Sequence, residues 1–151
     1  MKKILLDEQV VAAFFNKKNA NFTSACELIE ELVKFPDKKI YLNLLGILQI
    51  FEQTQFNYQK AVTKGLLDKN FNIESEIITK ITKLLDILNA ETIAPHAFDV
   101  LKRTEYIQKT QQLPFNKALN LELMQEYQIE ILATMDQDYN KLFAENIIRK
   151  F

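Results

Sequence analysis

The sequence predicts an α/β fold, with a mostly parallel sheet covered by helices on both faces. Two observations carry this. Short runs centred on Ile4-Leu5-Leu6, Ile40-Tyr41-Leu42, Thr92-Ile93-Ala94 and residues 129–134 are largely apolar without strict alternation, as in strands buried on both faces. Between successive runs lie one or two segments with apolar residues at helical spacing, which implies right-handed crossovers joining parallel strands.

Residues 2–6 read as the first strand, ended by Asp7-Glu8. Ser24 and Glu27 stand three apart as a capping box, and Cys26, Ile29, Leu32 and Val33 recur at helical spacing. A helix is therefore expected over 24–34, with Cys26 as a small core residue. Pro36-Asp37 stops it, and residues 40–42 form a second strand leading into a helix that begins near Asn43 and carries Leu44, Leu45, Leu48, Phe51 and Gln55. Gly65 and residues 68–72 punctuate the middle of the chain. Ile73, Ile77, Ile81, Leu84, Leu85 and Leu88 then hold one face of a long amphipathic helix.

Thr92-Ile93-Ala94 gives a third strand. Pro95 opens the next helix, since a missing N–H costs nothing in a first turn, with Ala97, Val100, Leu101 and Ile107 expected inward. Pro114 opens another, running to about Tyr127, with Phe115, Ala118, Leu119 and Leu123 inward. Residues 129–134 make the fourth strand, and a short helix near 137–144 and the apolar tail Ile147-Ile148 close the domain.

Composition removes several function classes. Only two glycines, Gly46 and Gly65, are present and far apart, so a glycine-rich phosphate loop cannot be built. One histidine (His96) and one cysteine (Cys26) supply neither a zinc site nor an intramolecular disulfide, so any metal would need oxygen ligands. A near-neutral charge of -1, with Arg103 and Arg149 the only arginines, gives no bulk attraction to nucleic acid. The apolar run from Leu42 to Phe51 is interrupted by Asn43 and Gln49 and is too short to cross a membrane, and MKKILLDEQ lacks the apolar core of a signal peptide. A cytoplasmic location and no membrane association are expected.

In a parallel sheet the functional crevice lies beyond the carboxyl ends of the strands. Asp7, Glu8, Asn43, Pro95, His96, Asp136 and Asp138 occupy those positions. Asp7 and Asp136 converge if their strands are neighbours, which is how distant acids share a divalent ion. Strand-end aspartates also cap following helices, and lone His96 reads as a surface or capping residue.

The opening KILLDEQVV, the segment LPFNKALNLEL and the stretch EYQIEILATMDQDY resemble, in order and spacing, the signature blocks of PIN-domain nucleases across nearly the whole chain. The resemblance implies a single domain over residues 1–151, a three-layer α/β/α sandwich with four or five strands. It also implies an acidic cluster that binds Mg²⁺ or Mn²⁺ to activate water against an RNA phosphodiester. An RNA substrate and, as in toxin–antitoxin pairs, an antitoxin-like protein partner follow from the same likeness. The aromatic surplus of 11 Phe and 5 Tyr leaves apolar surface for a homodimer.

Carried over by position, Asp7 and Asp136 match the first and last acids, with Asp138 behind. Glu8 and Gln9 replace the small polar residues that follow the first acid. The second acid's place aligns with Gln49, and Glu52, one turn on, is the nearby acid able to substitute. In Phe115-Asn116-Lys117-Ala118-Leu119 the third acid's place holds Lys117, or Asn116 with a slip of one residue. Unit charges 4 Å apart interact by about 4 kcal/mol at an effective dielectric near 20, so an inward Lys117 repels a divalent ion strongly. A lysine early in an amphipathic helix more commonly lies on the wet face. The expectation is a degenerate site with metal affinity reduced and hydrolysis weak or absent. The alternatives are a noncatalytic RNA-binding or protein-interaction module and, third, a receiver-like signalling domain, for which the phosphoacceptor aspartate and partner lysine are missing.

Overall fold

The protein is described here by a computed structural model covering residues 1–67, 72–96 and 99–151. Five strands, β1 (Lys2–Leu6), β2 (Lys38–Asn43), β3 (Ala90–Ile93), β4 (Ile131–Ala133) and β5 (Arg149–Lys150), form one all-parallel sheet in the order β3-β2-β1-β4-β5. The helices are α1 (Glu8–Phe14), α2 (Phe22–Lys34), α3 (Leu44–Thr63), α4 (Ile73–Leu88), α5 (Val100–Gln111), α6 (Phe115–Glu126) and α7 (Asn140–Ala144), the last preceded by a 3-10 turn at Gln137–Tyr139.

The pleat explains the unbroken apolar runs. Ile4, Leu6, Ile40, Leu42 and Ala133 pack on one face with α1, α2 and α4, whereas Leu5, Tyr41 and Leu132 pack on the other with α5, α6 and α7. With both faces covered, the central residues of β1, β2 and β4 are apolar whichever face they point to, whereas Lys2, Glu91 and the β5 residues at strand starts and sheet edges stay exposed. The C-terminal ends of α2 and α6 lie near the amino ends of β2 and β1, where strand-start lysines satisfy their carbonyls. Lys38 Nζ donates to the Val33 and Phe35 oxygens at 2.9 and 2.7 Å, and Lys3 Nζ donates to the Tyr127 oxygen at 2.8 Å.

Several boundaries differ from the sequence expectation. Helix α1, directly after Asp7, was not anticipated because only two turns separate the strand from a loop of asparagines and lysines. Helix α2 starts at Phe22 with Asn21 at the N-cap, so Ser24 is inside it and forms no capping box. The rotation of that helix buries Ala25, Ile29 and Leu32, leaves Cys26 half-buried and exposes Val33. On α3 the inward residues are Gly46 and Ile47, with Leu44, Leu45 and Leu48 exposed.

The third strand begins at Ala90, earlier than expected, and Ala94, Pro95 and His96 are not helical. Helix α5 starts at Val100, with Leu101 64% exposed, while Ala97 lies outside the described residues. Pro114 stands one residue before α6 rather than inside its first turn, and Phe115 is exposed instead of inward. The fourth strand is shorter than expected, and the apolar tail leads into the fifth strand.

Candidate functional site

Because β1 lies between β2 and β4, successive crossovers leave β1 and β4 in opposite directions and open a crevice above their carboxyl ends. Asp7 and Asp136 flank it. The Asp7 N–H donates to the Ala133 oxygen at 3.0 Å, continuing the strand pairing by one residue. Asp7 Oδ1 caps α1 by accepting from the Gln9 N–H at 3.1 Å, and Oδ2 accepts from Thr134 Oγ1 at 2.5 Å. Thr134 Oγ1 accepts in turn from the Asp136 N–H at 3.0 Å, so one hydroxyl joins the two acids' segments. Asp136 caps the 3-10 turn through the Asp138 N–H at 2.9 Å. Both aspartates therefore do the capping work that strand-end acids do generally.

Lys117 projects inward from α6, with its side chain only 10% exposed, rather than lying on the wet face. Its Nζ is 2.5 Å from Asp136 Oδ2 and also bonds the Asp138 carboxylate. Burial alone pushes its pKa down, but hydrogen bonds and charge from Asp136 and Asp138 outweigh that and hold it above the usual lysine value. Lys117 is thus a charged ammonium seated among the crevice acids.

Asp7 is only 2% exposed. Burial, reinforced by the adjacent Glu8 carboxylate, pushes its pKa up to about 7 against the hydrogen bonds from Thr134 and Gln9. Beside it runs a buried polar network that joins Glu8 and Asn43, both expected at strand ends, to Asn120 and Tyr139, which the sequence does not single out. Asn120 Nδ2 donates to Glu8 Oε2 at 2.9 Å and to the Tyr139 hydroxyl at 3.3 Å, while Asn43 Nδ2 donates to Asn120 Oδ1 at 2.9 Å. Asn43 Oδ1 caps α3 at Leu45. Burial first, then the Asp7, Glu8 and Asp136 carboxylates, pushes the Tyr139 phenol well above its ordinary range, so it stays protonated.

Residues 117–124 of α6 are all buried, so apolar periodicity offers no signal there; only the polar types Lys117, Asn120 and Glu122 in an enclosed helix point to partners elsewhere.

The remaining predicted positions separate from this cluster. Gln49 and Glu52 are exposed on α3, and with Glu8 and Asn116 they line a groove of about 880 Å³ walled by Ile50 and Ile77. Glu8 enters that groove over Gly46, where a Cβ would fall 2.8 Å from Glu8 Cβ. Glu52 makes no hydrogen bond or ion pair to Asp7 or Asp136. His96 lies on the surface, with Nδ1 3.0 Å from Glu126 Oε1, as expected of a surface residue.

A divalent ion held by carboxylates does not fit this arrangement. Asp136 and Asp138 are engaged by an ammonium, Asp7 is shared with Thr134 and near its titration point, and among the described residues no group of three His, Cys, Asp or Glu is placed to hold a metal. A carboxyl group with a pKa near 7 is tuned for proton exchange, but Asp7 is closed off from any ligand in the groove.

No family model and no curated protein sequence matches the chain. Solved structures do. The sarcin-ricin loop cleaving toxin VapC20 of Mycobacterium tuberculosis superposes with a TM-score of 0.63 at 13% identity, covering 91% of this chain and 93% of the toxin. VapBC2 from Rickettsia felis, bound to a DNA fragment from its promoter, superposes with a TM-score of 0.55 at 14% identity, covering 99% and 98%. The fold is that of a PIN domain. Within the PIN fold, the first and last sequence blocks fall at the carboxyl ends of adjacent strands, and the middle block falls on α6 facing them. Among the described residues no helix is long and apolar enough to cross a membrane.

Proposed function

We propose that this chain is a PIN-type domain of ribonuclease-toxin descent whose acidic site is degenerate, with RNA hydrolysis weak or absent. It acts through binding RNA or a protein partner. The observation that supports this reading is the Lys117 ammonium bonded to Asp136 and Asp138, at the place where the family pattern calls for a further carboxylate. Gln49, an amide where the family pattern has an acid, supports it as a further replacement, and Glu52, exposed on the groove wall, does not compensate. Asp7, Asp136 and Asp138 are the residues that would hold Mg²⁺ or Mn²⁺, and with Lys117 in place their affinity for either ion is expected to be too low to support hydrolysis. The test is incubation of the purified protein with structured RNA in Mn²⁺, Mg²⁺ or EDTA. Equal RNA integrity in all three is expected; metal-dependent cleavage abolished by Asp7→Asn overturns the reading.

The structural likeness to a toxin–antitoxin pair favours an antitoxin-like protein as the partner. The exposed Leu44, Leu45 and Leu48 of α3 offer apolar surface to that partner or to a second copy of the chain. Light scattering of the isolated protein separates these: a homodimer is expected if the strip self-associates, and Leu48→Lys returns it to monomer. A wild type that is already monomeric excludes the second copy.

A further inference from the structure

Lys117 comes from α6 and Asp136 and Asp138 from the turn after β4, and the ammonium bridges the two carboxylates. Nζ touches one oxygen of each acid, and Asp136 is tied through the Thr134 hydroxyl to Asp7. The Lys117 and Asp136 side chains are only 10% and 12% exposed, so bulk water and salt screen their contact poorly. We propose that Lys117 is the resident cation of this crevice: a tethered ammonium that makes the fold independent of divalent ions, and whose removal converts the acid pair into a site that binds one. The inference rests on the proposed function in taking this crevice as the descendant of an acidic site. It concerns stability and ion binding rather than catalysis.

Thermal melts of the whole chain in EDTA and in Mn²⁺ test it. The wild type and Lys117→Arg are expected to melt at the same temperature in both buffers. Lys117→Ala, leaving two carboxylates face to face, is expected to melt lower in EDTA and to recover by about 3 °C or more in Mn²⁺. Its Mn²⁺ affinity is expected to rise at least tenfold over the wild type. A wild type stabilised by Mn²⁺ as much as Lys117→Ala overturns the inference, as does a Lys117→Ala protein that melts like the wild type in EDTA.

Should Lys117→Ala fail to fold, the double variant Lys117→Ala/Asp136→Asn removes charge from both sides. It is expected to fold and to ignore Mn²⁺, and its failure to fold overturns the inference by showing that Lys117 acts through packing instead. The outcomes separate the two claims. A wild type that cleaves RNA while its melt ignores Mn²⁺ defeats the proposed function alone, whereas one that Mn²⁺ stabilises without cleavage defeats only this inference.

Discussion

Asp7→Asn gives the sharpest view of the electrostatics in the crevice. The Asp7 pKa stands at about 7 in the folded chain against 3.8 for an ordinary aspartate, chiefly through burial and secondarily through Glu8. Native protein therefore binds more protons than unfolded chain between those values, and the Asp7 contribution to stability falls as pH rises from about 4 to 7 and then levels. Each unit corresponds to about 1.4 kcal/mol, which bounds the penalty of ionising Asp7 at about 4 kcal/mol. Coupling to Glu8 and relaxation reduce that to a few kcal/mol. Asparagine keeps an oxygen for the Gln9 N–H, exchanges the direction of the Thr134 hydrogen bond at a cost of about 1 kcal/mol, and carries no charge. Asp7→Asn is expected to be more stable than the wild type at pH 8 by about 1–3 kcal/mol, with the advantage gone near pH 4. Urea unfolding of both proteins at the two pH values measures it. A difference that does not change with pH, or one that favours the wild type at pH 8, refutes the reasoning.

Two further substitutions probe the network beside Asp7. Gly46→Ala gains up to about 1 kcal/mol of helix propensity but drives a Cβ to 2.8 Å from Glu8 Cβ, too close to the backbone for Glu8 to swing clear, so a net loss of about 1–2 kcal/mol is expected in urea unfolding. Asn120→Leu leaves Asn43 Nδ2 and the Glu8 carboxylate without their buried partner and is expected to cost about 2–4 kcal/mol by the same measurement, whereas a neutral outcome would show that water replaces the amide.

The parallel sheet was legible because its strands are buried on both faces and read as apolar runs, and α4 was legible because Ile77, Ile81, Leu84 and Leu88 keep one face without exception. Asp7 and Asp136 could be drawn toward one another from their places after neighbouring strands, and the Thr134 hydroxyl links their segments. The inward Lys117 was legible only through the resemblance to the PIN blocks, since its place early in a helix argued for the wet face. What stayed hidden follows from chemistry that spacing does not encode. Helix α1 is too short for periodicity to register. The Ser24–Glu27 pair satisfies the capping pattern, yet Asn21 lies closer to the true turn. Leu101 and Phe115 are large and apolar but face solvent, since α5 and α6 bury residues mainly against each other and the sheet. Glu8 and Asn120 are polar residues made tolerable in the interior by one another, a relation across 112 positions that neither neighbourhood reveals.

Calorimetric titration of Mn²⁺ into the wild type and into Lys117→Asp tests the central claim most directly, because it returns a carboxylate to the position where the crevice carries a cation. The account predicts negligible heat for the wild type and at least tenfold tighter binding for the variant. Tight binding to the wild type, lost in Asp7→Asn, would contradict it.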